Sequence, residues 1–277
     1  YCLERLLNSP GNFTASKLKW VSDNEPDQFK AVSQFLLPGD YIAMKLTGEV
    51  TTTASGLSEG IFWDFQSQDI SHQVLDYFGF AHTLAPTTVP TFTNTLGLTA
   101  HAANELGLTK GTPVSYRAGD QPNNAFSLNV LQPGEVATTA GTSGVIYAVT
   151  DKLVYDVHSR VNTFLHVNNG LTHGVKRNGV LLCINGTGIS NSWLRKILAQ
   201  GTSMSYSQLN NLASESSIGS SGVSFLPFGN GAERILRHKE VDSSFEGLNF
   251  NRHSVSDLAR AVQEGSVFAM KYGIQVI

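Results

Sequence analysis

The sequence predicts an α/β protein, and three features of the chain lead to that prediction. Amphipathic stretches with helical spacing alternate with turn clusters over the first 110 residues. From Thr112 onward, short runs with strand character precede helical runs. The length of 277 residues suits two domains of roughly 100 to 200 residues each, although one large domain stays open.

The composition is that of an ordinary globular protein. Hydrophobic residues make up 41% of the chain and charged residues 15%, with a formal net charge of -3. Lysines and arginines are dispersed, and no apolar run approaches the roughly 20 residues that span a bilayer. We therefore expect neither nucleic acid nor a membrane as a partner.

The cysteines predict a reducing compartment, and the cysteines and histidines together argue against a metal centre. Two cysteines, Cys2 and Cys183, cannot form a disulfide framework, which suits a reducing compartment. The first residues also lack the pattern of a secretory signal, so we expect a cytoplasmic protein. The eight histidines show no metal-ligand spacing, and no protein-bound metal is predicted.

Both ends of the sequence predict an internal piece of a longer protein. The chain opens at Tyr1 without methionine and stops at Ile277 within a helical pattern that has no capping residue.

In the first part of the chain, helical spacing predicts two helices. One covers residues 29–36, and the other carries Val74, Leu75 and Phe78 before Gly79 as a C-terminal cap. Residues 49–65 are rich in Thr, Ser and Gly and predict loops with short strands rather than a helix.

In the second part, strands come first. Residues 113–118 alternate like a strand, and Pro122 occupies the predicted first position of the next helix. Ser254 with Asp257 forms a capping-box pattern before a long terminal helix. Further strands are predicted at residues 135–139, 145–150 and 180–184.

Asp120 is the first candidate for chemistry. It lies where the predicted strand over 113–118 gives way to a helix. A carboxylate held there can accept the proton of a substrate hydroxyl while the oxygen attacks an electrophile. The alternative is that Asp120 only caps the helix, since Asp is favoured at caps.

Two glycine turns are candidates for binding phosphate. Gly141, Thr142, Ser143 and Gly144 lie between strand-like segments, where successive N–H groups and two hydroxyls form an anion-binding concavity. This turn is not a Walker A loop, because no Gly-Lys-Ser/Thr follows. A plain hairpin turn is the alternative.

The second turn, Gly186-Thr187-Gly188, leads from a strand into a helix whose free N–H groups are candidates for a phosphate or nucleotide. It also matches the start of a dinucleotide fingerprint, but Asn191 replaces the third glycine. Packing alone is the alternative explanation.

Several motifs in unbroken order, from about Asn12 to the end, resemble the FGGY family of carbohydrate kinases, most closely its xylulokinase branch. They are Thr14-x-x-Lys17-Leu18-x-Trp20-Val21, Leu37-Pro38-x-Asp40-Tyr41, Leu46-Thr47-Gly48, residues 55–64, Gly119-Asp120-Gln121, Ser243-x-Phe245-x-Gly247-Leu248, and Asp257-Leu258-x-x-Ala261-Val262-Gln263-Glu264-Gly265.

This resemblance implies an actin-like, ribonuclease H-like fold of two α/β domains around a cleft, incomplete at both ends. Residues 1–133 are expected to be the C-terminal part of the first, sugar-binding domain. Residues 134–277 are expected to be the N-terminal part of the second, nucleotide-binding domain. Parts of both substrate sites would then lie outside the chain, so we expect these 277 residues to be inactive alone.

The resemblance also assigns the candidates. Asp120 matches the catalytic base, Gln121 is expected to touch the sugar, and Gly141 to Gly144 match the phosphate hairpin. Gly186 and Gly188 resemble a further nucleotide-side segment. ATP is the implied cosubstrate, with Mg²⁺ carried largely by its phosphates.

The implied activity is phosphorylation of a sugar hydroxyl, first of all D-xylulose to D-xylulose 5-phosphate. The tripeptide Gly119-Asp120-Gln121 also occurs in glycerol kinases, so another ketose, a polyol or glycerol stays open. A noncatalytic nucleotide-binding protein of actin-like fold would fit the phosphate turns too, and a dehydrogenase using Gly186 to Gly188 fits least well. A homodimer stays open as well.

Overall fold

The computed structural model describes residues 1–277. The helices are α1 Thr14–Asn24, α2 Pro26–Phe29, α3 Pro38–Thr47, α4 Ala54–Glu59, α5 His72–Phe78, α6 Ala100–Leu106, α7 Asp120–Ser127, α8 Gly188–Ala199, α9 Tyr206–Ser214 and α10 Val255–Val276. The strands are β1 Thr51–Thr53, β2 Trp63–Asp64, β3 Asp69–Ile70, β4 Thr87–Val89, β5 Val136–Ala140, β6 Gly144–Thr150, β7 Asn162–Leu165, β8 Asn178–Ile184, β9 Ser224–Leu226 and β10 Ser244–Glu246. Single turns of π- or 3₁₀-helix cover Cys2–Leu6, His82–Leu84, Ser220–Gly222 and Glu233–Leu236.

The chain divides into two compact units. The first contains Tyr1–Glu135, Val149–Val157 and Asn162–Gly179, and the second contains Val136–Ala148, His158–Val161 and Val180–Ile277. The division is therefore not a single cut, because the chain returns twice to the first unit after Glu135. None of the helices combines the length and the apolarity needed to cross a membrane.

The first unit is mainly helical with short strand pairs. Strands β1 and β4 pair in parallel, and β2 pairs with β3 in an antiparallel hairpin. Helix α4 begins because the Thr53 side chain accepts a hydrogen bond from Gly56 N at 3.0 Å. Its apolar neighbours form the core, where Phe35 stacks on Phe62 with ring centroids 4.3 Å apart. These contacts fix the end of α4 in position.

The second unit is a mixed layer of strands and helices. Strands β5 and β6 form an antiparallel hairpin in which Ala140 pairs with Gly144, and β8 lies beside β6. Helix α10 packs close to this sheet: a Cβ added to Gly273 would lie 2.6 Å from Ile146 Cδ1. The fully buried side chains at the centre are Ile146, Leu182 and Ile184.

Several predicted elements are confirmed. Helix α5 ends at Gly79, whose φ of 72° is left-handed as a glycine cap requires. The hairpin turn follows Ala140, and β8 includes the predicted strand over 180–184. The capping box of Ser254 and Asp257 opens the 22-residue helix α10.

Two helical predictions in the first unit are wrong. The helix predicted over residues 29–36 ends at Phe29, and Phe35 is buried by stacking on Phe62 rather than by a helical face. Residues 49–65, predicted without a helix, contain α4, whose six residues are too few to show a helical period.

The segment before Asp120 also differs from its prediction. Residues 113–118 form no strand, because Tyr116 and Pro113 make only isolated bridges, to Phe92 and Gly97. Pro122 is the third residue of α7 and not the first. The position is still tolerated, since the first four N–H groups of a helix have no partner within it.

Candidate active site

Asp120 is the first residue of α7 in the first unit. The preceding Gly119 is the N-cap and has no side chain to offer, so Asp120 is not the cap of this helix. The Asp120 oxygens accept hydrogen bonds from Gln121 N at 2.8 Å and Gln121 Nε2 at 3.1 Å. Each carboxylate oxygen has further lone pairs, so the exposed side chain can accept a hydrogen bond from another donor.

A cavity of about 370 Å³ lies in front of Asp120, within the first unit. This volume falls in the range of roughly 300 to 1,000 Å³ that is usual for small-molecule pockets. The lining is mixed, with carboxylates, hydroxyls and backbone from α3, α4 and the segment before α7. The residues are Thr14, Leu37, Pro38, Gly39, Asp40, Thr53, Gly56, Glu59, Arg117, Ala118, Gly119 and Asp120.

Asp40 and Arg117 form a buried ion pair in this lining. Arg117 Nε donates to Asp40 Oδ1 at 2.6 Å and Arg117 Nη2 donates to Thr51 Oγ1 at 2.9 Å. Thr52 Oγ1 donates to the other oxygen of Asp40 at 2.8 Å. The pair is thus neutral overall and well supplied with hydrogen bonds, which is what burial of two charges requires.

Glu59, the last residue of α4, faces the same cavity without a cation. Burial raises the pKa of its carboxyl to about 7, and the charges of Asp120 and Asp40 act in the same direction, while the Gly119 N–H opposes them. Glu59 was not predicted as a site residue from the sequence. A signal was present, since it is a single carboxylate between small residues and the apolar run Ile61 to Trp63.

In the second unit, Gly141, Thr142 and Ser143 connect β5 to β6. The backbone N–H groups of Thr142 and Ser143 donate to no protein acceptor, and Thr142 is exposed. Two free amides beside a hydroxyl are the donors that a phosphate oxygen needs. This tip of the turn therefore presents donors of the kind that bind an anion.

The Gly186 to Gly188 turn packs directly on the hairpin turn. Gly188 N donates to Gly141 O at 3.0 Å and Ile189 N donates to Thr142 O at 3.1 Å. Thr187 Oγ1 adds a bond to Gly141 O at 3.2 Å. The first amides of α8 are therefore occupied by carbonyls of the hairpin, and they are not the free N–H groups expected from the sequence.

Close backbone and side-chain contacts at this junction leave no room for a Cβ, so they require glycine. A Cβ on Gly188 would lie 2.3 Å from Gly141 O, and one on Gly144 would lie 2.7 Å from Thr187 Cγ2. Gly186 has a φ of 102° and would place a Cβ 1.4 Å from Pro227 O. These contacts explain the glycines without a dinucleotide fingerprint, so the turn gives the dehydrogenase hypothesis no support.

A second cavity, of about 440 Å³, lies beside the N-terminal half of α8 in the second unit. Trp193 and Phe225 form an aromatic wall with ring planes 16° apart, and Lys196 and Asn230 supply polar groups. Such a mixture can hold a flat heteroaromatic group by stacking and an anion by charge. This cavity could not be predicted from the sequence, because its residues are far apart along the chain.

No group of three or more His, Cys, Asp or Glu side chains is placed to hold a metal ion. The site residues predicted from the sequence fall into two sets. Asp120 and Gln121 lie together in the first unit, and the two glycine turns lie together in the second.

Known proteins are similar to this chain in both sequence and fold. Residues 4–127 match the N-terminal domain of the FGGY family of carbohydrate kinases. The xylulose kinase of Haemophilus influenzae is 27% identical over 267 residues, which is 95% of this chain and 52% of that protein. The chain thus spans about half the length of the curated relatives that it matches.

Solved structures of sugar kinases are also similar to this chain. The crystal structure of xylulose kinase from Rhodospirillum rubrum superposes with a TM-score of 0.88 at 28% identity, covering 99% of this chain and 54% of that one. Glycerol kinase of Plasmodium falciparum with ADP has a TM-score of 0.85, with 99% of this chain and 54% of that one covered. At 18% identity the latter supports the fold alone.

The predicted α/β fold of the actin-like sugar kinases and the resemblance stated from the motifs are both confirmed. Residues 4–127 thus match the N-terminal domain of the FGGY family of carbohydrate kinases, and the chain is similar to xylulose kinases over nearly its whole length.

Proposed function

We propose that the complete gene product containing this chain transfers a phosphoryl group from ATP to a hydroxyl of a sugar, with D-xylulose as the substrate and D-xylulose 5-phosphate as the product. The observation that carries the proposal is the exposed Asp120 carboxylate on the wall of a polar cavity of about 370 Å³. The similarity to xylulose kinases over 95% or more of the chain supports the choice of sugar.

The charges around the cavity favour a neutral substrate. Arg117 is neutralised by Asp40, so the remaining ionisable groups are the carboxyls of Glu59 and Asp120. An anionic substrate would be repelled by these carboxylates, whereas hydroxyls can donate hydrogen bonds to them. A neutral ketose or polyol therefore fits better than a sugar acid or a sugar phosphate.

Asp120 is proposed to act as the general base. It accepts the proton of the reacting hydroxyl as that oxygen attacks the terminal phosphorus of ATP, and ADP leaves. Gln121, whose side-chain amide donates to Asp120, holds the carboxylate in place and lies near enough to Asp120 to touch the sugar as well.

The hairpin turn is proposed to bind the phosphates. The free amides of Thr142 and Ser143 would donate to phosphate oxygens and stabilise the charge that develops during transfer. Gly141, Gly144, Gly186 and Gly188 contribute by allowing the hairpin and α8 to meet at backbone distance. Magnesium carried with ATP would further neutralise the phosphate charge.

The test is sugar-dependent ADP release by the complete gene product. D-xylulose is compared with another ketopentose, a pentitol, glycerol and a no-sugar control, and the product is identified by mass spectrometry. We expect D-xylulose to give the highest kcat/KM. Nucleotide binding without ADP release for any of them would favour a noncatalytic nucleotide-binding protein. The same assay on the 277-residue chain tests the prediction that it is inactive alone.

A further inference from the structure

The guanidinium of Arg117 lies in the wall of the cavity in the first unit, where it is the one cation among the lining residues. Its side chain is 11% exposed, and that of its partner Asp40 is 5% exposed. Arg117 Nε donates to Asp40 Oδ1 at 2.6 Å, and Nη2 donates to Thr51 Oγ1 at 2.9 Å. These bonds fix the plane of the guanidinium, so the remaining nitrogen points in a fixed direction.

That remaining nitrogen, Nη1, donates to no acceptor within the protein. The hydrogen bonds of Arg117 come from Nε and Nη2 alone, and Nη1 is not one of the buried side-chain atoms that lack a partner. It therefore keeps a surface that a ligand can reach, and the space that this side chain lines is the cavity in front of Asp120. Unlike the carboxylates of the same lining, Nη1 can only donate a hydrogen bond.

The proposed reaction fixes the chemical form in which D-xylulose enters the site. In the furanose ring, the oxygen of carbon 5 is bonded to carbon 2, so it carries no proton and cannot be phosphorylated. The reacting form is therefore the open-chain ketone, which has a free carbonyl at carbon 2. A ketone oxygen only accepts hydrogen bonds, and the ionised carboxylates of Asp40 and Asp120 cannot donate one. Among the charged groups of the lining, Arg117 is the donor that this oxygen needs.

We propose that Arg117 Nη1 donates a hydrogen bond to the carbon-2 carbonyl of the open-chain ketose, while Asp120 receives the proton of the reacting hydroxyl. This inference rests on the proposed function and names a residue that selects ketoses. The guanidinium is held for this task by Thr51 and by Asp40, whose second oxygen accepts from Thr52 Oγ1 at 2.8 Å. A site built to bond a polar atom of its substrate rejects analogues without that atom, because the group of the site is left unpaired.

The experiment measures ligand binding to the complete gene product by calorimetry without ATP. The ligands are D-xylulose and the analogue in which a methylene replaces the carbonyl. The variant is Arg117→Lys, which keeps a cation for Asp40 but has no planar fork with a nitrogen to spare. The matched control is Arg5→Lys, because Arg5 Nε makes the same kind of ion pair, to Asp64 Oδ2 at 2.7 Å, and does not line the cavity. Thermal melts of each variant verify that it is folded.

We expect the wild type to bind D-xylulose about 10- to 100-fold more tightly than the methylene analogue, as for one hydrogen bond to a charged group. Arg117→Lys should raise the Kd for D-xylulose by about that factor and leave the Kd for the analogue within about two-fold. Arg5→Lys should leave both Kd values within about two-fold. A purely structural role for Arg117 would weaken the binding of both ligands equally, so the difference between the ligands decides.

The outcomes separate the two proposals. If the wild type phosphorylates D-xylulose but Arg117→Lys changes the two Kd values equally, or changes neither, the inference is overturned and the proposed function stands. Equal affinity of the wild type for the two ligands overturns it as well, without any variant. If Arg117→Lys does not fold, the double variant Arg117→Gln with Asp40→Asn, which removes both charges together, takes its place. If the wild type neither binds nor phosphorylates any sugar tested, the proposed function fails and the role of Arg117 fails with it.

Discussion

The contact between the hairpin turn and α8 gives a sharp prediction for Gly188→Ala. The new Cβ would lie 2.3 Å from Gly141 O and 3.0 Å from Gly141 C. Both are backbone atoms that no rotamer change can move, so the two turns must separate. Separation lengthens the bonds from Gly188 N to Gly141 O, now 3.0 Å, and from Ile189 N to Thr142 O, now 3.1 Å.

The loss of stability expected for Gly188→Ala follows from these contacts. Two backbone hydrogen bonds contribute about 0.5 to 1.5 kcal/mol each, and overpacking costs about 1 to 3 kcal/mol. The two effects overlap, since breaking the bonds relieves the clash, so we expect the free energy of unfolding to fall by about 2 to 4 kcal/mol. At about 3 °C per kcal/mol, Tm should drop by roughly 6 to 12 °C.

Scanning calorimetry on the chain measures this change. The control is Gly11→Ala, because a Cβ there meets no atom within 4 Å and Gly11 does not have a positive φ. In the complete gene product, Gly188→Ala should also raise the KM for ATP, since the hairpin amides are displaced, and leave the KM for the sugar unchanged. A Tm within about 2 °C of the control would refute the steric reasoning.

Three further predictions concern ionisable groups. Folding raises the pKa of Glu59 from 4.5 to about 7, so ionisation of Glu59 destabilises the folded state as pH rises. Between pH 5 and 8, the free energy of unfolding of Glu59→Gln should therefore rise relative to wild type by up to about 3 kcal/mol, as measured by urea titrations. The Ser216 hydroxyl and other donors hold the pKa of Asp257 well below its usual range, so Asp257→Ala should lose about 1 to 2 kcal/mol at pH 7 by thermal melting, and the loss should shrink below about pH 4. Arg117→Met leaves the buried Asp40 without its cation and should cost about 3 to 5 kcal/mol in urea unfolding; equal stability would contradict the ion-pair assignment.

Elements with strong local signals could be predicted from the sequence. The capping box of Ser254 and Asp257, the glycine cap at Gly79 and the hairpin turn after Ala140 are each specified by a few neighbouring residues. Their geometry follows from local backbone chemistry. No knowledge of the surrounding packing is needed for them.

Elements decided by packing could not be predicted in this way. Phe35 has helical spacing from Phe29, yet its ring is buried by stacking on Phe62, far along the chain. Residues 113–118 alternate as a strand does, but the neighbouring chain offers only single bridging residues. In both cases the pattern reflects burial, and the partner decides the backbone conformation.

The residues of the candidate site also fall into those with a local sequence signal and those placed by tertiary packing. Asp120 and the glycines stand in short motifs, so the sequence alone could single them out. Glu59 belongs to a helix of six residues without a visible period, and its proximity to Gly119 is a tertiary contact. The occupation of the Gly188 amide by a hairpin carbonyl is tertiary as well.

The most direct test of the central claim is the steady-state rate of the Asp120→Asn variant of the complete gene product with D-xylulose. Asn keeps the size of the side chain, and the N-cap of α7 is Gly119, so the melting temperature should hardly change. Loss of the base should lower kcat about 10²- to 10⁴-fold while ATP affinity stays nearly constant. A variant that turned over within a few-fold of wild type would contradict the assignment of Asp120 as the base.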